Sequence, residues 1–181
     1  MENLKDKYKK EVLPALKEEF GYANVMSVPK IEKVTLNVGL GDKYKDSGYI
    51  AIVEDTMNRI SGQKPVQTKA RKSIAGFKIR EGNVVGLKVT LRGNQMWAFL
   101  DKLVNITFPR VSDFRGVGPK AVDKSGNFSY GFKEHVAFPE IRPDEIETIH
   151  GLEVNITTTA PDYAQGMALF TKLGFPFKKD K

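Results

Sequence analysis

Apolar residues recur along this chain with two periods, and the switches between them lay out its elements. Leu4, Tyr8, Val12, Leu16 and Phe20 fall every four residues, which predicts a helix with one apolar stripe and a Lys/Glu-rich outer face. Pro14 stands inside it and removes a backbone bond, so a kink or two short segments are expected. After Pro29 the period drops to two. "KIEKVTLNVGLG" puts Val34, Leu36 and Val38 on one side of a strand and Lys33, Thr35 and Asn37 on the other. The helical period returns after "KDSG", with Asp46 or Ser47 as the cap, Ile50, Val53, Met57 and Ile60 as the buried stripe, and Gly62 as the stop.

"VVGLKVTLRG" reads as a second strand, with Val85, Leu87, Val89 and Leu91 opposing Lys88, Thr90 and Arg92. A helix near 94–104 follows, holding Met96, Trp97, Leu100 and Leu103. "FPRVSDFRGVGPKAVDKSGN" is rich in Gly, Pro and charge and reads as a long exposed loop, about 108–127. "FSYGF" suits a short strand. "GLEVNITTTA" is a strand whose Leu152, Val154 and Ile156 oppose Glu153, Asn155, Thr157 and Thr159. "PDYAQGMALFTKLG" is a final helix, with Pro161 in its first turn and Gly174 at its end. No repeat, low-complexity tract or linker divides the chain. The expectation is one α+β domain over residues 1–181, with a largely antiparallel sheet and helices packed on one face.

The apolar sides of all three clear strands can be covered by the helix stripes. The other face is then open, polar and basic, and it suits RNA. Lys and Arg neutralise phosphates, while Thr and Asn can reach 2′-hydroxyls and base edges in the shallow groove of A-form RNA. This face carries no aromatic for base stacking, so a folded, mostly double-stranded RNA is expected. Any one-sided antiparallel sheet also has a polar outer face, and that plainer reading stays open here.

Composition sharpens the picture. The 181 residues carry a net charge of +7, with a pI near 9.4. That excess favours a polyanion, nucleic acid before an anionic membrane surface, although charge alone is also compatible with simple solubility. Cysteine is absent, which excludes disulfides, thiolate zinc sites and thiol nucleophiles. "MENLKDKYKK" lacks the apolar core of a signal peptide, and no apolar run reaches the length of a membrane span. The expectation is a cytosolic protein that is not inserted in a membrane.

The positive charge concentrates in "QKPVQTKARKSIAGFKIREG", read as an extended basic loop over about 64–82. Lys64, Lys69, Arg71, Lys72, Lys78 and Arg80 occur there with no Asp or Glu between Lys64 and Arg80. Gly76, Gly82 and Gly86 let it extend and bend. The loop can follow a phosphate backbone while Phe77 packs on a sugar or base. Alternatively it is a solvated loop with Phe77 and Ile74 tucked into the core.

Catalytic chemistry finds no support. "VGLGD" lacks the ending of a phosphate loop, and "RGVGPK" is a flexible turn. His135 and His150 are far apart, have no neighbour at metal-ligand spacing, and read as surface or loop histidines. Ser61, Ser73 and Ser112 lack a nucleophile context. Asp144, Glu145 and Glu147 form an acidic patch that is either a solvated face or a protein contact. A nuclease, a free RNA chaperone and a peripheral membrane protein are the competing classes. No cofactor, metal or catalytic residue is expected.

Several blocks resemble one family. "MNRISGQKPVQTKARKS", "KIEKVTLNVGLGD", "FPRVSDFRGV", "FKEHVAFPEI" and "TTTAPDYAQGMALFTKLGFPF" look like blocks of the large-subunit ribosomal protein five family, the family that binds 5S rRNA, in its bacterial form. The resemblance covers essentially the whole chain. It implies a non-enzymatic protein in the central protuberance of the large ribosomal subunit, attaching 5S rRNA and touching 23S rRNA and neighbouring proteins, as a monomer within the ribosome. It implies a 5S rRNA face with Asn37, Thr90 and Gln63, of which Asn37 and Thr90 already stand on the polar strand face. Lys33, Thr35, Lys88, Arg92, Asn155 and Thr157 complete that face. The basic loop, with Lys69, Arg71, Lys72, Phe77, Lys78 and Arg80, is implied to reach peptidyl-site tRNA. Arg110, Asp113, Arg115, Asp144 and Glu145 are implied to lie near a bridge to a protein of the small-subunit head.

Overall fold

The computed structural model describes residues 3–142 and 148–178. Its main elements in chain order are α1 (Leu4–Lys7), α2 (Leu13–Phe20), β1 (Ile31–Gly39), α3 (Ser47–Ser61), β2 (Val66–Lys69), β3 (Val84–Leu91), α4 (Gly93–Lys102), α5 (Phe108–Arg110), β4 (Phe128–Phe132), β5 (Leu152–Thr158) and α6 (Tyr163–Leu173). The strands form one five-stranded sheet in the order β2-β3-β1-β5-β4. β2 pairs antiparallel with β3. The end of β1 meets the start of β3 through Leu40 N–H to Val85 O (3.1 Å), and its start meets the end of β5 through Thr159 N–H to Lys30 O (2.9 Å). The class is therefore α+β with an antiparallel sheet, as the alternation predicts. No helix among the described residues is long and apolar enough to cross a membrane.

Pro14 neither ends nor sharply splits the first helical run. Tyr8–Val12, between α1 and α2, is a π-helical stretch, and Pro14 falls in the first turn of α2. A proline offers no N–H and its ring crowds the carbonyl four residues back; the wider π turn ahead of it makes room. The device recurs at Leu103–Thr107, a π stretch followed by Pro109 in α5. The helix expected near 94–104 thus continues to Arg110. Phe108, expected in an exposed loop, is fully buried because it lies on the apolar side of that continuation.

Two compact units make up the chain. One holds the described residues up to Val34, Leu91–Tyr130 and those from Asn155 onward; the other holds Thr35–Thr90 and Gly131–Val154. The division falls inside β1, β3, β4 and β5 and not in a linker.

The first unit is built on aromatic rings. Phe128 lies 5.3 Å from Phe170 and 5.1 Å from Phe175, which in turn meets Phe108 edge-on at 6.2 Å. Such offset and edge contacts add to the area that the rings bury. The long loop after α5 is less exposed than its composition suggests. Val117 and Val122 are buried, and Val117 exchanges backbone bonds with the C-terminal segment (to Pro176 O 2.8 Å, from Lys178 N 2.9 Å). Asp123 turns the chain by accepting from the N–H groups of Ser125 (2.9 Å) and Asn127 (2.8 Å). Partial burial works to raise its pKa, but these bonds outweigh it and hold the carboxyl below the usual range. Asp162, not Pro161, caps α6, accepting from Gln165 N–H at 2.9 Å. Pro161 therefore stands one residue before the cap instead of in the first turn. Gly174 ends the helix with φ +93°.

In the second unit, Val53, Met57 and Ile60 of α3 and Leu36, Val38, Leu87 and Val89 of the strands are buried. Asp46 caps α3 by accepting from Gly48 and Tyr49 N–H (2.9 and 3.2 Å), and Gly62 closes it at φ +67°. The two histidines are not surface residues, although His150 lies in a loop and His135 in a short 3-10 turn. His135 and His150 are both buried and stacked, with ring centroids 4.1 Å apart and planes 8° from parallel. Spacing along the chain gives no hint of this, because the pairing is made by backbone bonds between the two segments, His135 N–H to His150 O (3.1 Å). His150 N–H donates to Nδ1 of His135 at 3.2 Å. Burial lowers the pKa of His135 and pushes His150 down to about 4.

Candidate nucleic-acid interface

The strands present their polar side chains as the alternation requires. In the second unit Thr35 and Asn37 of β1 and Thr90 of β3 are half-buried, Lys88 is exposed, and their chain neighbours Leu36, Val38, Leu87 and Val89 are buried. Among the described residues, the side chains of Thr35, Asn37, Lys88 and Thr90 form no hydrogen bond or ion pair within the chain. Gln63 is exposed immediately after the αL residue Gly62. Its backbone is pinned by Ser61, whose Oγ accepts from Gln63 N–H at 3.2 Å.

The register adds residues that the sequence did not point to. Val66 lies opposite Lys88, and Thr68 lies opposite Gly86. Directly opposed residues share a face, so Thr68 and the exposed Val66 join Lys88 and Thr90. Gly86 is not a hinge of the basic loop. It sits buried within β3, where a Cβ would come within 2.9 Å of both Thr68 Oγ1 and the Val38 carbonyl oxygen.

In the first unit Lys33, Asn155 and Thr157 are half-buried on their strands, again beside buried Val34 and Ile156. Arg92 is exposed and lies 3.6 Å from Glu32, a solvated pair of small energetic weight. Ser129 of β4 is exposed between buried Phe128 and half-buried Tyr130, and it extends the polar set.

The basic segment is not one extended loop. Val66–Lys69 forms the edge strand β2. The remainder folds back on itself as a hairpin, tied by Ala70 N–H to Asn83 O (2.8 Å), Gly82 N–H to Ala70 O (3.0 Å), Ile74 N–H to Ile79 O (2.9 Å) and Ile79 N–H to Ile74 O (3.2 Å). A short 3-10 turn, Ala75–Phe77, forms the tip, and Lys78 follows in the left-handed region (φ 54°). Phe77 is 68% exposed and Ile74 48%, which removes the alternative in which they belong to the core. Lys69, Arg71, Lys72, Lys78 and Arg80 are exposed, and none of the five makes an ion pair among the described residues, whereas Lys64 lies 3.6 Å from Glu54. The hairpin thus carries unneutralised charge around one solvent-facing ring.

Arg110 ends α5; Arg110 and Asp113 are exposed and so is Arg115. Their segment is anchored by Phe114, stacked on Phe108 with centroids 5.4 Å apart. Asp144, Glu145 and Glu147 lie outside the described residues. Among the described residues, no three His, Asp or Glu side chains gather as a metal site.

Comparison with known proteins bears on nearly the whole length of the chain. Residues 24–80 match the family described as ribosomal protein L5, and residues 84–177 match the C-terminal region of that same ribosomal family. The large ribosomal subunit protein uL5 of Colwellia psychrerythraea is 51% identical over 179 residues, 99% of each chain. The uL5 of Roseiflexus sp. is 52% identical over 175 residues, 97% of each. That of Francisella tularensis subsp. novicida is 51% identical over 178 residues, 98% of this chain and 99% of the relative. With both family segments matched in order and half the residues shared almost end to end, the chain belongs to the ribosomal protein L5 family.

Proposed function

We propose that this chain binds 5S rRNA through the outward side chains of its strands and helps attach that RNA to 23S rRNA in the central protuberance. As a member of its family it is a structural, non-enzymatic constituent of the large subunit of the cytoplasmic ribosome. One observation carries the 5S rRNA reading. Thr35, Asn37, Lys88 and Thr90 are half-buried or exposed polar groups without partners among the described residues, set on strands whose opposite side chains are fully buried. Unpaired donors and acceptors beside Lys suit the 2′-hydroxyls and phosphates of a folded RNA, and among the described residues no aromatic platform for single strands accompanies them on these strands.

The hairpin is assigned to peptidyl-site tRNA. Its cations and exposed Phe77 offer charge and one stacking ring to solvent, which fits a contact that must be made and released. Arg110, Asp113 and Arg115, with Asp144 and Glu145, are assigned to a bridge with a protein of the small-subunit head. The exposure of the first three supports that assignment, since solvated charge pairs exchange readily during subunit movement.

A filter-binding titration of the purified chain against 5S rRNA, at two salt concentrations and with tRNA as competitor, tests the central reading. Tight, salt-sensitive binding that tRNA does not displace is expected. Equal affinity for both RNAs would remove the case for a dedicated 5S rRNA face.

A further inference from the structure

The tip of the basic hairpin is held from outside the hairpin. Tyr44 is buried on the turn Gly41–Lys45 and donates its hydroxyl hydrogen to the carbonyl oxygen of Lys78. Lys78 is the residue in the left-handed region, φ 54° and ψ 26°, a conformation that side chains with a Cβ adopt only at a cost. Its N–H is already satisfied by the Ala75 carbonyl at 3.0 Å. The Tyr44 bond therefore secures the other side of an unfavourable turn. Lys45 Nζ stands 5.5 Å over the Tyr44 ring and helps keep it in place.

Apolar packing gives the tip little support, since Ile74 and Phe77 are exposed and Ile79 is only half-buried. An open cleft lined by Tyr44, Lys45, Ser73, Lys78, Arg80 and Asn83 separates the turn from the hairpin. Segments with few buried contacts open readily, and a binding segment that must be ordered on contact loses affinity to that ordering.

We propose that Tyr44 is a positioning residue for the RNA contact of the hairpin: its hydroxyl pre-sets the Lys78 turn, so that Phe77 and the flanking cations meet the RNA already arranged. This rests on the reading of the hairpin as the tRNA contact. Tyr44→Phe keeps the ring, its packing and every hairpin cation, and removes only the bond. The number of phosphates neutralised stays the same, so affinity falls while its salt dependence is unchanged.

The test builds wild type, Tyr44→Phe and Arg71→Ala into large ribosomal subunits and times the release of peptidyl-site tRNA at two salt concentrations. Amide exchange at Ile74 and Ile79 is measured in parallel on the free full-length chain. With Tyr44→Phe, both amides exchange faster and tRNA leaves about three- to ten-fold faster, the worth of one hydrogen bond, with wild-type salt dependence. Arg71→Ala also speeds release but flattens the salt dependence. Unchanged exchange in Tyr44→Phe overturns the proposal. So does unchanged release in Tyr44→Phe when Arg71→Ala speeds it, and that result leaves the tRNA reading standing. Unchanged release in both variants removes the tRNA reading and the proposal with it.

Discussion

Gly126 and Gly166 meet backbone to backbone. A Cβ on Gly166 would lie 2.4 Å from the Gly126 Cα and 2.7 Å from its carbonyl oxygen. Gly126 itself has φ +71°, and a side chain there would collide with Ala160 and Asp162. This crossing seats the start of α6 against the turn before β4, beside the bond from Thr158 Oγ1 to Gly126 O (2.8 Å). Alanine is ordinarily the better helix residue by ~1 kcal/mol, so the preference for glycine here is steric. Gly166→Ala is expected to cost roughly 1–3 kcal/mol, the usual penalty of overpacking, in chemical denaturation. A neutral or stabilising result would mean that the two segments can separate freely.

Asn37→Ala and Thr90→Ala separate folding from recognition. Neither side chain has a partner within the described chain, so each change is expected to leave stability within about 0.5 kcal/mol of wild type. Each is expected to weaken 5S rRNA binding by roughly 1–3 kcal/mol, because a buried RNA group loses its partner. Undiminished affinity in both variants would remove these residues from the interface.

Arg71→Ala probes the hairpin's charge. Binding to 5S rRNA by the free chain is expected to remain near wild type, while the salt slope of tRNA binding drops by about one. A large loss of 5S rRNA affinity would instead place the hairpin on that RNA.

The stacked histidines give a pH dependence of known sign. His150 has a folded pKa near 4, and that of His135 is also lowered. Both sit below the ordinary histidine value of about 6.5, so the unfolded chain takes up protons that the native one refuses. Their contribution is complete above about pH 6.5 and is lost as pH falls toward 4, by at most about 1.4 kcal/mol per pH unit for each ring. His150→Phe keeps a stacked ring without the titration and should flatten denaturation midpoints across that window. A wild-type midpoint that does not move between pH 6.5 and 4 would contradict the pair's burial.

Residues such as Asn37 and Thr90 were legible in the sequence because a one-sided strand writes its two faces as alternation. β2 was not, since Val66–Lys69 is exposed along most of its length and carries no apolar rhythm. The Tyr44–Lys78 bond joins positions 34 residues apart, and no local preference of Lys78 announces a left-handed turn. The histidine stack has the same character, set by which segments the sheet brings together. Gln63 came only from family resemblance, because nothing in its own surroundings marks it apart from any exposed residue after a helix.

The short strand at the sheet's end bears on how copies of this chain meet one another. β2 is 4 residues long, ends in Lys69, and has a register break between Thr68 and Lys69. A free strand edge is a template on which another copy can build, and a basic, interrupted stub makes a poor one. At this edge of the sheet, strand addition by a second copy is thereby disfavoured, through the same segment that leads into the charged hairpin.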